Sequence, residues 1–291
     1  MKGNIIILTP VYNDWKNLSK LLIEVNKIFK HQIKTKFELI IVNDRSTEKS
    51  NFKNFKLNMV KKVTIISLFK NVGSQRALAI GIRYLASLNK KKFNTIIIDS
   101  DGQDNPNAIT KILNTSNKAP SSSVAINRGQ RKEQLWFKAF YELYCFLIII
   151  FSFKKIRFGN YSLLKSNDLK DLNLQDDLWG AYPPVFSRTI KSIRHLSIDR
   201  EKRFGGKSKM NFFGLVLHAL KVFSVLRYRV LTISFLYSLI TYNFLIDKNI
   251  FLFLLVNSML LFLNLANFAI SFQNKKKFSE NFNKIKIKTI F

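Results

Sequence analysis

Asp99, Asp101 and Gln103 follow one another at two-residue spacing in Asp99-Ser100-Asp101-Gly102-Gln103-Asp104, directly after the β-branched run Thr95-Ile96-Ile97-Ile98. On an extended segment residues i and i+2 project to the same side, so the two carboxylates point together. Two acidic oxygen donors with an amide oxygen beside them suit Mg2+ or Mn2+, hard cations that usually share their ligands with substrate phosphates. A solvated acidic turn at a strand end is the plain alternative for an Asp-x-Asp pair by itself. Three further polar clusters in the chain argue against that alternative.

Each of those clusters also ends an apolar run. Asn4 to Leu8 leads into Thr9-Pro10-Val11-Tyr12-Asn13-Asp14, Phe37 to Val42 into Asn43-Asp44-Arg45-Ser46-Thr47, and Val63 to Leu68 into Phe69-Lys70-Asn71-Val72-Gly73-Ser74. Short apolar β-branched runs bounded by turn residues read as buried strands. The segments between them turn helical, with Leu18, Leu21, Leu22, Val25 and Ile28 at helical spacing and a second helix from Ala77 to Leu88. Alternating strands and helices predict an α/β domain built on a parallel sheet with right-handed crossovers. Ligands in such sheets bind at the carboxyl ends of the strands, where all four polar clusters converge.

Pro10-Val11-Tyr12-Asn13-Asp14, Val42-Asn43-Asp44-Arg45-Ser46, Lys70-Asn71-Val72-Gly73 and Asp99-Ser100-Asp101-Gly102-Gln103-Asp104 resemble the motif series of the family 2 inverting glycosyltransferases, whose catalytic domain has the GT-A, Rossmann-like fold. Asn127-Arg128-Gly129-Gln130-Arg131, Arg203-Phe204-Gly205-Gly206-Lys207-Ser208-Lys209-Met210 and Phe223-Ser224 resemble the polyprenyl-phosphate branch of that family, which includes dolichyl-phosphate mannose synthase and bacterial undecaprenyl-phosphate glycosyltransferases. The likeness covers about Asn4 to Ser224. It implies transfer of a sugar from a UDP- or GDP-linked donor to a polyprenyl phosphate, with Mg2+ or Mn2+ as cofactor.

The resemblance also distributes roles. Asp101 and Gln103 are the expected metal ligands, with Asp99 a ligand directly or through water. Pro10, Tyr12, Asp14, Val42, Asp44, Asn71, Gly73, Asp99 and Ser100 mark the nucleotide-sugar site, with Tyr12 and Asp14 holding base and ribose and Asp44 accepting a hydrogen bond from either. Arg203 and Lys209, on a glycine-rich loop, would clamp phosphates. Arg128, Arg131 and Lys138 would hold the acceptor phosphate through matched charge-assisted bonds. An acceptor phosphate is already anionic near neutral pH, so no general base is required. His31, His195 and His218 all lie outside the strand-end motifs.

Two departures qualify the match. Arg45 stands in a turn where relatives of this kind carry Gly, and Asn160, in Phe158-Gly159-Asn160-Tyr161-Ser162, stands where the branch commonly has an acid. Asp176 and Asp177 are candidates to replace that acid near the sugar, or else belong to a surface turn. Processive polysaccharide synthases carry more membrane helices and a Gln-x-x-Arg-Trp motif, neither of which this sequence has. A membrane-anchored glycosyltransferase with another acceptor, or an inactive nucleotide-sugar-binding scaffold, remains the alternative.

Composition points to a membrane surface. Lys and Arg number 48 against 18 Asp and Glu among 291 residues, a formal charge of +30. Each basic residue near an anionic lipid surface contributes about 1 kcal/mol. No nucleic-acid recognition motif accompanies the charge. The single Cys145 excludes an internal disulfide, and Ile5 to Leu8 is too short for a signal sequence.

The uncharged runs Val230 to Ile246 and Ile250 to Phe272, joined by Asp247-Lys248-Asn249, read as a two-helix transmembrane hairpin. Lys221, Arg227 and Arg229 before it and Lys275-Lys276-Lys277 after it predict that the catalytic domain and both termini face the cytoplasm, at the inner membrane. The expected organisation is a GT-A domain over 1–209, an interfacial amphipathic helix over 210–229 with His218, Lys221 and Ser224 on its polar face, the hairpin over 230–272 and a basic tail over 273–291. Paired hairpins would also permit a homo-oligomer. The apolar stretch Phe146 to Phe153 either caps the sheet, the simpler reading, or packs beside the membrane helices.

Overall fold

The structure, a computed structural model, describes residues 4–49, 57–88, 92–129, 135–153, 156, 158–205 and 212–290. Strands β1 (Asn4–Val11), β2 (Phe37–Asn43), β3 (Val60–Ser67) and β4 (Phe93–Ile97) pair in parallel in the order β4-β1-β2-β3. Strands β5 (Ser123–Arg128), β6 (Phe158–Lys165) and β7 (Ile193–Ile198) extend the β4 side, with β6 antiparallel to both neighbours. The sheet is therefore mostly parallel, with helices on both faces, as the alternation of runs predicts.

Alternation along each strand feeds two cores. On β1, Ile6 and Leu8 face one side and Ile5 and Ile7 the other, all buried. Helices α1 (Trp15–Ile28) and α3 (Ala108–Lys118) cover the second face with Leu18, Leu21, Val25, Ile109 and Ile112. Helices α2 (Ser74–Ser87), α5 (Ser166–Asn173) and α6 (Tyr182–Thr189) cover the first. Helix α2 lies so close to the sheet that a Cβ at Gly81 would sit 2.6 Å from Leu8 Cδ1 and 3.0 Å from Val42 Cγ2. That close approach fixes the height of the α2 N-terminus over the strand ends.

Helix α4 (Leu135–Ser152) ends beside the apolar C-terminal helices α7 (Phe212–Val225), α8 (Arg227–Leu245) and α9 (Ile250–Phe282). Phe151 meets Phe223 and Tyr237 edge-on at 6.1 and 5.8 Å, and the Tyr237 hydroxyl donates to the Ile150 carbonyl at 3.1 Å. Ile148 is buried while Leu143, Phe146 and Phe153 stay exposed, so this stretch joins the apolar helices instead of simply capping the sheet.

The C-terminal helices depart from expectation in three ways. First, α7 turns its face the other way: Val222, Phe223, Ser224 and Val225 are buried against the domain, whereas Val216 and Leu217 are exposed. The polar-face pattern fails because α7 packs chiefly on α9, with α6 and the Asp176–Trp179 turn beside it. Second, α7 meets α8 at a 90° bend, and of these helices only α9 is by itself long and apolar enough to cross a membrane. The α7–α8 pair passes the same test only when taken together. Third, residues 273–291 are no free tail. Helix α9 continues to Phe282, and Lys286–Thr289 forms β8, antiparallel to Thr64–Ser67 at the β3 edge. Its Lys-rich, exposed character is that of a protected edge strand.

One buried acid ties these helices to the domain. Asp177, on the 3-10 turn Asp176–Trp179, accepts from Arg188 at 3.0 Å, Arg227 at 2.7 Å and Ser271 at 3.0 Å. Arg188 also donates to the Val225 carbonyl at 2.7 Å. Trp179 stacks on Phe278 of α9 at 5.4 Å, and Arg83, paired with Asp176, lies 3.5 Å from the centroid of the same ring. Both acids therefore anchor the junction rather than contact a sugar or line a plain surface turn. Asp177→Ala would leave two half-buried guanidinium groups without their partner and is expected to cost about 3 kcal/mol, the low end for breaking a buried pair. Denaturant unfolding in detergent checks this, and an unchanged midpoint would contradict it.

Candidate functional site

The parallel order β4-β1-β2-β3 sets four strand ends side by side, and the loops leaving them are stitched together. Asn13, at a left-handed φ of 47°, donates through Nδ2 to Thr47 Oγ1 and accepts from the Thr47 and Glu48 amides. Its own amide donates to Ser46 Oγ at 3.0 Å, while Ser46 N donates to Asn43 Oδ1 at 2.9 Å. Arg45 adopts φ 60°, which explains why a glycine suits this turn. Asn13 and Ser46 were not singled out by sequence; their only signal was an Asn or Ser at a strand end.

Asp44 is 2% exposed, and its two carboxylate oxygens accept from the Val72 and Gly73 amides at 2.7 and 2.8 Å. Burial pushes its carboxyl up to about 6, against the pull of those amides and of Arg76. Its carboxylate holds the third loop against the second, and Asn71 adds a bond from Nδ2 to the Asp44 carbonyl. Gly73 caps α2 at φ 90°, a conformation other residues rarely adopt. Val42 points into the core at 0% exposed, and Pro10, its register partner on β1, is also buried. Both shape the floor through packing, because the strand turns their side chains inward. Tyr12 stands exposed at the edge and Ser100 is buried in the turn after β4.

Asp14 and Asp101 come together through one cation. Arg203 donates to Asp14 Oδ2 at 2.6 Å and to Asp101 Oδ2 at 3.2 Å, while its Nε holds the Gly205 carbonyl at 2.9 Å. Burial raises the Asp14 carboxyl above its ordinary range, opposed by Arg203 and by Asn17. The loop carrying Arg203 lies across the acidic turn: Phe204 N donates to the Asp101 carbonyl, Glu201 N to the Gln103 carbonyl, and Asn17 Nδ2 to the Gly205 carbonyl. The Phe204 ring rests on Gly102 so closely that a Cβ there would be 2.2 Å from it. Gly102 is required twice, by this contact and by its φ of 80°.

Asp101 Oδ1 accepts from the Gln103 amide at 3.0 Å, and Asp99 Oδ1 accepts from Asn160 Nδ2 at 3.0 Å. Among the described residues no three His, Cys, Asp or Glu side chains gather into a metal cage. The donor set fits a divalent ion that takes few protein ligands and completes its shell from phosphate and water. The guanidinium already seated on Asp101 shows that this carboxylate accepts a cation. Asp99, Asp101 and Gln103 are the residues that could hold it.

The remaining basic residues expected at the site are less fully placed. Arg128 ends β5, in register with Ile198, but its side chain, that of Lys138 on α4, and all of Arg131 and Lys209 lie outside the described residues.

Comparison with known proteins agrees with this fold. The profile of glycosyl transferase family 2 matches residues 6–170. An uncharacterised glycosyltransferase of Synechocystis sp. is 29% identical over 245 residues, covering 78% of this chain and 71% of that protein. Among solved structures, glucosyl-3-phosphoglycerate synthase of Mycobacterium tuberculosis, with Mn2+, UDP-glucose and phosphoglyceric acid, superposes with TM-score 0.56 at 14% identity over 79% of this chain and 80% of its own. TarS of S. aureus gives TM-score 0.51 at 16% identity over 78% of this chain, which spans 40% of TarS. The chain belongs to glycosyl transferase family 2.

Arg203→Ala removes the charged tie between the loop and Asp14 and Asp101. Hydrogen exchange at the Glu201 and Phe204 amides is then expected to speed up about tenfold, the equivalent of one charge-assisted hydrogen bond. Unchanged exchange would mean that Phe204 packing alone holds the loop.

Proposed function

We propose that this protein transfers a sugar from a UDP- or GDP-linked donor to a polyprenyl phosphate of the undecaprenyl or dolichyl type, with inversion, at the cytoplasmic face of a membrane. The observation that carries the lipid acceptor is α9, which runs unbroken from an outward-facing apolar segment, Phe251 to Phe272, into the domain core at Phe278. At 33 residues it is about 50 Å long, more than the ~30 Å hydrocarbon core requires. The surplus reaches the catalytic domain and supports a donor site held at headgroup height. In this reading α8 and α9 form the hairpin, with α4 and α7 lying in the interface.

Tyr12 and Asp14 are assigned to base and ribose, and Arg203 and Lys209 to the donor phosphates once Arg203 leaves Asp14. Asp99, Asp101 and Gln103 would hold Mg2+ or Mn2+, which when bound offsets charge on the departing diphosphate. Arg128, Arg131 and Lys138 are assigned to the acceptor phosphate. Asn160 supports an acceptor that needs no general base, because its amide donates to Asp99 and cannot take a proton from an alcohol. The lipid phosphate attacks the anomeric carbon in line, the bond to the diphosphate breaks, and configuration inverts.

Purified protein in detergent, given undecaprenyl phosphate, Mn2+ and a panel of UDP- and GDP-sugars, is expected to yield a chloroform-soluble glycolipid from one donor. Asp101→Ala should abolish it, and Arg128→Ala should raise the acceptor KM far more than the donor KM. Donor binding without lipid product would point to another acceptor or to an inactive scaffold.

A further inference from the structure

An unbroken chain of amides leads from a helix start to Asp99. The Tyr182 amide, at the first turn of α6, donates to Gln75 Oε1 at 2.9 Å. Gln75 Nε2 donates to Asn160 Oδ1 at 2.7 Å, and Asn160 Nδ2 donates to Asp99 Oδ1 at 3.0 Å. The direction of every bond is fixed from one end. A backbone N–H can only donate, so Gln75 must present its oxygen to Tyr182 and its NH2 to Asn160. Asn160 must then present its own NH2 to the carboxylate.

The chain is also held rigidly. Asn160 is 5% exposed, and its carbonyl accepts from Ser162 Oγ at 2.8 Å. Ser162 Oγ in turn takes the Tyr182 hydroxyl at 2.7 Å, which closes a ring of polar contacts. Gln75 lies two residues beyond Gly73, whose amide holds Asp44. The chain therefore joins the loop after β3 to the loop after β4.

We propose that Gln75 and Asn160 are positioning residues for Asp99: their relayed amides hold Oδ1 and fix the orientation of a carboxylate of the cation site. The proposal rests on reading Asp99 and Asp101 as the cation site. An acid at position 160 would set two carboxylates against each other, whereas Asn160 supplies a donor at the same place. Groups of this kind, one step behind a metal ligand, typically change metal affinity 10- to 100-fold.

The decisive variant does not touch Asp99. At pH 8 the side chain of Gln75→Glu is ionised and can only accept. It keeps the Tyr182 bond but forces the Asn160 amide to turn its NH2 toward residue 75 and its oxygen toward Asp99. Mn2+ binding to the full-length protein in detergent with UDP present, read by the EPR signal of free Mn2+, is expected to weaken about tenfold. UDP affinity without metal should not change. Asn160→Ala should weaken Mn2+ to a similar degree, and adding Gln75→Glu to it should have no further effect.

Mn2+ affinity within twofold of wild type, in either single variant with an unshifted thermal midpoint, would overturn the proposal. If Gln75→Glu fails to fold, Asn160→Ala alone decides. A wild-type protein that binds no Mn2+ would instead overturn the cation-site reading, and this inference with it.

Discussion

Acidic side chains crowded at one sheet edge are the constraint around which the site is built. Asp14, Asp44, Asp99, Asp101 and Asp104 all lie on the loops after β1, β2 and β4, and each needs a donor or a positive partner to stay there. Asp44 takes two backbone amides, and Asp104 takes the Asp99 amide at 3.1 Å. Asp99 takes the Asn160 amide, and Asp14 and Asp101 share Arg203. Backbone donors and Asn160 are fixed in place. Arg203 instead reaches Asp14 and Asp101 from a separate loop, so their pairing depends on how that loop lies across the acidic turn.

The same geometry links the site to the apolar helices. Helix α2 carries Gln75 at its start and Arg83 one face further on, so it touches both the Asp99 relay and the ring of Phe278 on α9. At the far end of α9, β8 pairs with β3, and Lys284 lies 5.2 Å from the centroid of the Phe69 ring in the loop that leads to Gly73. Asp177, on the turn before α6, fastens α8 through Arg227 and α9 through Ser271, and Arg188 carries the link on to α7. The catalytic sheet and the apolar helices therefore share side chains at several points, and no free linker separates α9 from the domain.

Much of this was legible in the sequence. Buried strands announce themselves as uninterrupted apolar runs, and the polar residues that end them named Asp14, Asp44, Gly73, Asp99 and Asp101 directly. The reading was weaker wherever a residue's role depends on distant partners. Val42 was assigned to the ligand, but strand alternation turns it inward against Gly81. Asp177 was indistinguishable from a surface turn, because its arginines lie 11 and 50 residues away. The helical pattern of α7 predicted a helix but not which face is covered, because that face packs on α9, far away in sequence. Strand β8 has too short and too charged a sequence to read as anything but tail. Asn160 stood out only as a departure, and its role emerged from the direction of its hydrogen bonds.

The most direct measurement follows both halves of the donor in lipid nanodiscs that contain undecaprenyl phosphate, in a single turnover with the sugar and the nucleotide separately labelled. The structure and its assigned roles predict that one nucleoside diphosphate is released into water for each sugar found in the lipid fraction, and that neither is released when the lipid phosphate is left out. Nucleotide release that continues without the lipid, with the sugar recovered in water, would contradict the lipid-phosphate acceptor.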